Sequence, residues 1–174
     1  MKKLFMLIVA AMFVTTLSAQ EWSLGGRVGS GIQAVGQYTF SNENYLEARF
    51  GASWNNPEVW VAYSDGTIKE GRVMADFTLL YNWHILEMDW TPSTGIWFFD
   101  AGVGVNVGGK PHYAYVGVAG SARLGLKFHN APVSLAFDWT PSFGPGILYV
   151  GNQNEAMFNE LGLANVGISC VYHF

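Results

Sequence analysis

The chain has 174 residues, half of them hydrophobic, 16% aromatic and only 13% charged, with a formal net charge of −4 and one cysteine. That length suits a single domain, the lone cysteine excludes an intramolecular disulfide, and the acidic balance makes nucleic acid a poor partner. So little charge beside so many aromatics is unusual for a soluble domain.

Met1-Lys2-Lys3 is a short basic stretch, Leu4 to Val14 an apolar run, and Thr15-Thr16-Leu17-Ser18-Ala19 a small-residue exit before Gln20. This three-part plan is that of a secretory signal peptide. The apolar run falls short of the roughly 20 residues that a membrane helix needs. Cleavage is expected after Ala19, giving a signal peptide over 1–19 and one domain over 20–174. The mature chain then keeps seven of its nine basic residues against 13 acidic ones, a formal charge of −6. Cys170 lies far from the export segment, so no lipoprotein acylation site is present.

Beyond the signal, a two-residue period predicts eight β-strands. In chain order they are Trp22–Gly29, Ile32–Phe40, Tyr45–Trp54, Arg72–Ile85, Ile96–Val107, Tyr115–Phe128, Val133–Thr140 and Leu163–Phe174. The connections alternate in character. Residues 41–44, 87–95 and 129–132 are turn-like, rich in Asn, Pro and acidic residues. Residues 55–71, 108–114 and 141–162 read as looser, mostly longer loops, whereas Ser30-Gly31 is unusually tight.

Face assignment is the stronger test. The strand at 133–140 splits into Val133, Leu135, Phe137 and Trp139 against Ser134, Ala136, Asp138 and Thr140. The strand at 45–54 splits into Leu46, Ala48, Phe50, Ala52 and Trp54 against Glu47, Arg49, Gly51 and Ser53. On the five strands from Tyr45 to Thr140, every charged residue falls on the mixed face. A β-sandwich also alternates, but nothing in this chain remains to cover such large aromatic faces. A soluble lipocalin-like barrel would place them inside, where an eight-stranded interior is only just wide enough for side chains. The expected fold is therefore all-β: a closed eight-stranded antiparallel transmembrane barrel with its apolar face outward. Closure in lipid satisfies every backbone group.

The mixed faces would fill the lumen. Arg27, Arg49, Arg72, Arg123 and Lys127 stand against Glu47, Asp76, Asp100 and Asp138, with His84 and His173 nearby in pattern. Buried charge is tolerable only when partnered, so these residues are expected to form an ion-pair network that plugs the barrel. On the outer face Trp83, Trp97 and Trp139 would mark the interface aromatic girdles. The four histidines are dispersed and lack metal-ligand spacing; no metal, cofactor or catalytic residue is expected. Asp89-Trp90-Thr91-Pro92-Ser93 recurs as Asp138-Trp139-Thr140-Pro141-Ser142, read as coincidence.

With these features assembled, the chain resembles the small eight-stranded outer-membrane β-barrel proteins of Gram-negative bacteria, the OmpA-like transmembrane-domain class. The terminal pattern Val166-x-Ile168-x-Cys170-x-Tyr172-x-Phe174 is similar to the signal that barrel-assembly machinery reads in that class. Residues 128–141 resemble a turn and strand recurring in barrels of this type. The resemblance implies an outer-membrane location with periplasmic termini and longer outer loops. It further implies contact with outer-membrane lipids and lipopolysaccharide, and a monomer. No appended peptidoglycan-binding domain is expected, so the anchoring role of two-domain members is not carried over. A structural or surface-interaction role in the envelope is expected. A narrow porin-like channel for small solutes is the alternative, and a lipid-modifying enzyme the third reading. Phe128-His129-Asn130 resembles the start of one barrel-deacylase motif, but Ala131-Pro132 stands where its serine should follow.

Overall fold

Alternation along the chain becomes a wall of antiparallel strands in the computed structural model, which describes residues 22–41, 44–54, 59–63, 66–70, 73–150, 153–159 and 163–174. The expected signal segment lies outside the described residues. Among these residues there are twelve strands: β1 (Trp22–Gly29), β2 (Gly31–Ser41), β3 (Asn44–Ser53), β4 (Val59–Tyr63), β5 (Gly66–Glu70) and β6 (Met74–Thr91), then β7 (Gly95–Lys110), β8 (Tyr113–Phe128), β9 (Val133–Trp139), β10 (Ser142–Val150), β11 (Gln153–Asn159) and β12 (Val166–His173). Eight of them, in the order β1, β2, β3, β6, β7, β8, β9, β12, pair antiparallel with their neighbours, and β12 pairs back onto β1. The result is a closed eight-stranded antiparallel β-barrel. Closure leaves these ladders without an open edge.

The alternation also fixes what faces where. Large apolar side chains point away from the barrel: Phe50 is 66% exposed, Val118 64% and Ile32 60%. The largest fully buried side chains include Arg27, Arg49, Glu47 and Asp138. This is the reverse of a lipocalin-like arrangement, in which the aromatics would fill the centre.

All eight predicted barrel strands occur, with their faces as expected, but the connections differ. The strand expected to stop at Ile85 runs on to Thr91, so only Pro92–Thr94 turn at the next connection. Its ladder with β7 slips at Ile85, a β-bulge that leaves Ile85 and Leu86 both facing out and pairs Glu87 with Phe98. Residues 108–114, read as a loose loop, are strand on both sides of a tight Pro111–His112 turn, with Lys110 opposite Tyr113. The glycines there and across the ladder serve as space. A Cβ on Gly117 would collide with the Tyr115 hydroxyl, and one on Gly146 with the Tyr113 ring.

The stretch 141–162 is likewise not a plain loop. β10 pairs with the half of β8 that β9 leaves free, and β11 pairs with β10, so this side of the wall rises above the rest. Pro141 marks the break between β9 and β10, yet its carbonyl still accepts from the Gly120 amide at 2.8 Å. Within residues 55–71, β4 and β5 form a separate two-stranded hairpin. The last strand begins at Val166, not Leu163. The tight first connection is confirmed. Gly29 has φ 154° and approaches the Val166 carbonyl too closely to carry a side chain, while Ser30 bonds the same carbonyl through its amide at 2.9 Å.

Candidate functional site: the ionic interior and its mouth

Because β-strand side chains alternate, strands from all round the barrel aim their polar residues at one axis. Glu47 and Arg49 come from β3, Arg27 from β1, Arg123 from β8 and Asp138 from β9. Asp138 Oδ1 accepts from Arg27 Nε at 2.8 Å and from Arg49 Nη1 at 3.1 Å. Glu47 Oε1 accepts from Arg49 Nε, and Glu47 Oε2 from Arg123 Nη1 at 2.7 Å. Three guanidinium groups and two carboxylates thus form one continuous ion-pair network, each residue no more than 3% exposed. Charge-assisted bonds of this length are the strong kind, and burial makes each depend on the others.

Neutral side chains extend the network toward both ends. Gln33 accepts from Arg27 Nη1 at 3.2 Å and donates to Asp76 Oδ2 at 2.6 Å. Thr140 accepts from Arg49 at 2.9 Å, Ser169 from Arg123 at 2.9 Å, and Gln37 donates to Glu47. On the side of the chain termini, the Tyr45 hydroxyl accepts from Arg123 at 3.0 Å and donates to Asp100 Oδ2 at 2.7 Å. Asp100 Oδ1 meets His84 Nδ1 at 2.8 Å. A hydrogen-bonded path therefore runs from His84 to Asp76 through the whole ionic cluster.

Seven of the nine charged residues expected in the lumen are buried there: Arg27, Glu47, Arg49, Asp76, Asp100, Arg123 and Asp138. Asp76 and Asp100 join through Gln33 and Tyr45. Lys127 departs from the expectation: it is exposed and has no ion-pair partner among the described residues. It sits two inward-facing positions beyond Arg123 on β8, where the barrel opens. Arg72 lies outside the described residues. The polar residues that sequence reasoning missed, Gln33, Gln37, Tyr45, Thr140 and Ser169, share the mixed-face parity of the charged ones. That parity was the available signal.

Below the network the barrel opens at its termini end into a cavity of about 660 Å³, with Tyr45, Asp100 and Arg123 in its floor and Ile96, Phe98 and Lys127 along one wall. His173 lines it as well, bridging Ser23 at 2.8 Å and Ser134 at 3.0 Å and so stitching β1, β12 and β9 together. Among the described residues no group of His, Cys, Asp and Glu is arranged to hold a metal ion.

On the outside, aromatic rings form a chain near the termini end. Trp22 meets Tyr38 at a centroid distance of 4.8 Å, Tyr38 meets Phe40 at 5.0 Å, Phe40 meets Tyr81 at 6.3 Å, and Tyr81 meets Trp83 at 5.1 Å. Trp97 packs against Trp90 and donates to Thr91 at 2.9 Å. Trp139 donates to the Leu163 carbonyl at 2.6 Å. Val166, Ile168, Cys170, Tyr172 and Phe174 share this outer face.

The class that these features define is a closed eight-stranded β-barrel with an ionic interior. Comparisons with protein-family models, with curated proteins and with solved structures found no match.

Proposed function

We propose that this chain is an integral outer-membrane protein, an OmpA-like barrel with periplasmic termini and a lumen closed by its ion-pair network. Its role is structural or surface-interactive in the cell envelope, without catalysis. The observation that carries this reading is the inverted burial. Arg27, Arg49, Glu47 and Asp138 are sealed inside, while a belt of Phe, Trp, Val, Ile and Leu side chains faces outward. In water so extensive an apolar surface drives association; in a bilayer it is the required surface. The chain of rings from Trp22 to Trp83 fits an interfacial girdle, where aromatic residues collect. On this reading the barrel-assembly machinery inserts the chain as a monomer through its outward-facing C-terminal pattern, and lipopolysaccharide surrounds the finished barrel.

Planar-bilayer recording separates this from a narrow channel or transporter. The plugged barrel gives no discrete openings, and Asp138→Asn combined with Arg123→Gln leaves conductance low because the side-chain volume remains. Large single-channel steps from the unmutated protein would overturn the occluded-lumen reading.

A further inference from the structure

We propose that the cavity at the termini end binds a small organic carboxylate with an apolar body. Its volume, about 660 Å³, lies within the roughly 300–1,000 Å³ of ordinary small-molecule pockets. Its lining is mostly polar, with Ile96, Phe98 and Phe174 as its apolar part. Ile96 and Phe98 supply the wall, and Gly125 leaves the Phe98 ring space that any side chain would occupy.

The sign of the ligand follows from which charges in the cavity are already engaged. Asp100 has one oxygen on His84 and the other on Tyr45. Glu87, brought to the cavity by the bulge at Ile85, is exposed and stands 3.5 Å from His84 Nε2 without a hydrogen bond, so its pull on a ligand is left to solvent screening. Of the cations, Arg123 donates to Tyr45, Glu47 and Ser169 and is still not saturated, and Lys127 stands exposed beside the apolar wall. Lys127 has no ion-pair partner among the described residues, and Arg123, itself 3% exposed, keeps a buried Nε that donates to none of them. Lys127 and Ile96 are direct neighbours across the β7–β8 ladder, so a carboxylate at the ammonium places its apolar body along Ile96 and Phe98. Bulges that re-aim a side chain recur beside functional sites, and the bulge here lies on the strand next to Phe98. The proposal concerns the cavity alone and does not depend on the medium surrounding the barrel.

The test is calorimetric titration of the purified protein in detergent with 3-phenylpropionate, 3-phenylpropanol and 3-phenylpropylamine. The proposal expects saturable one-to-one binding of the carboxylate, about ten-fold or more tighter than either isostere, as one charge-assisted contact allows. Lys127→Gln, at an exposed position that folding does not depend on, weakens the carboxylate by a similar factor. Glu87→Gln leaves it as tight or tighter. Absence of saturable binding, equal affinity for the amine, or an unchanged affinity in Lys127→Gln would overturn the proposal.

Discussion

Asp138 shows most clearly how single residues hold this barrel. One oxygen accepts from Arg27, Arg49 and Thr140, and the residue is fully buried. Removing it strands two buried guanidinium groups, and breaking a buried pair in this way costs about 3–5 kcal/mol. Asp138→Ala should lower the urea midpoint of the refolded barrel by a corresponding amount. A change below about 1 kcal/mol would mean that Gln33 and Asn165 suffice for Arg27, and Glu47 and Thr140 for Arg49. The same residue shows what the sequence conceals. Asp89-Trp90-Thr91-Pro92-Ser93 and Asp138-Trp139-Thr140-Pro141-Ser142 are the same pentapeptide, yet Asp89 is exposed beside a turn and Asp138 is the centre of the network. Composition cannot separate them; position along a strand can. Formal charge found Arg27, Glu47, Arg49 and Arg123, but not Tyr45 or Gln33, which join the cluster to its end carboxylates without carrying charge.

At the scale of elements, each barrel strand was legible because one face meets large apolar groups and the other small or polar ones. That contrast is greatest where the wall has two unlike sides. It fades near the far rim, and there the reading failed. On β10 the outward residues are Phe143, Pro145, Ile147 and Tyr149, and the inward ones Ser142, Gly144, Gly146 and Leu148. The two-residue period is present, but Pro145 and the glycines disguise it as a loop. Gly146 makes room for the Tyr113 ring and Gly144 lets the backbone of β8 approach; neither ends the strand. Outer-face chemistry predicts a sharp asymmetry between neighbours on β9. Phe137 faces outward and is 54% exposed, so in water Phe137→Arg would be nearly neutral. In a bilayer it costs up to about 2–4 kcal/mol, depending on depth. Reversible folding into lipid vesicles, measured by chemical denaturation, reads the difference directly. A change within about 0.5 kcal/mol would place Phe137 in water.

For the whole molecule, the organising fact is that hydrophobicity and charge have exchanged places relative to a water-soluble fold. A closed ladder satisfies the backbone, an ion-pair network fills the axis, and the apolar side chains are left without protein to cover them. Closure explains why a chain with one cysteine and no apolar core of ordinary kind can hold one shape. At the termini end, beyond Tyr45, Asp100 and Arg123, the interior opens into a cavity instead of a packed centre. The most direct measurement is tryptophan fluorescence in vesicles whose acyl chains carry bromine. Trp22, Trp54, Trp83, Trp90 and Trp139 are between 39% and 61% exposed on the barrel's outside. The account predicts strong quenching by brominated chains and weak quenching by aqueous acrylamide. A protein that stays monodisperse without detergent, with tryptophans open to acrylamide and indifferent to bromine, would contradict it.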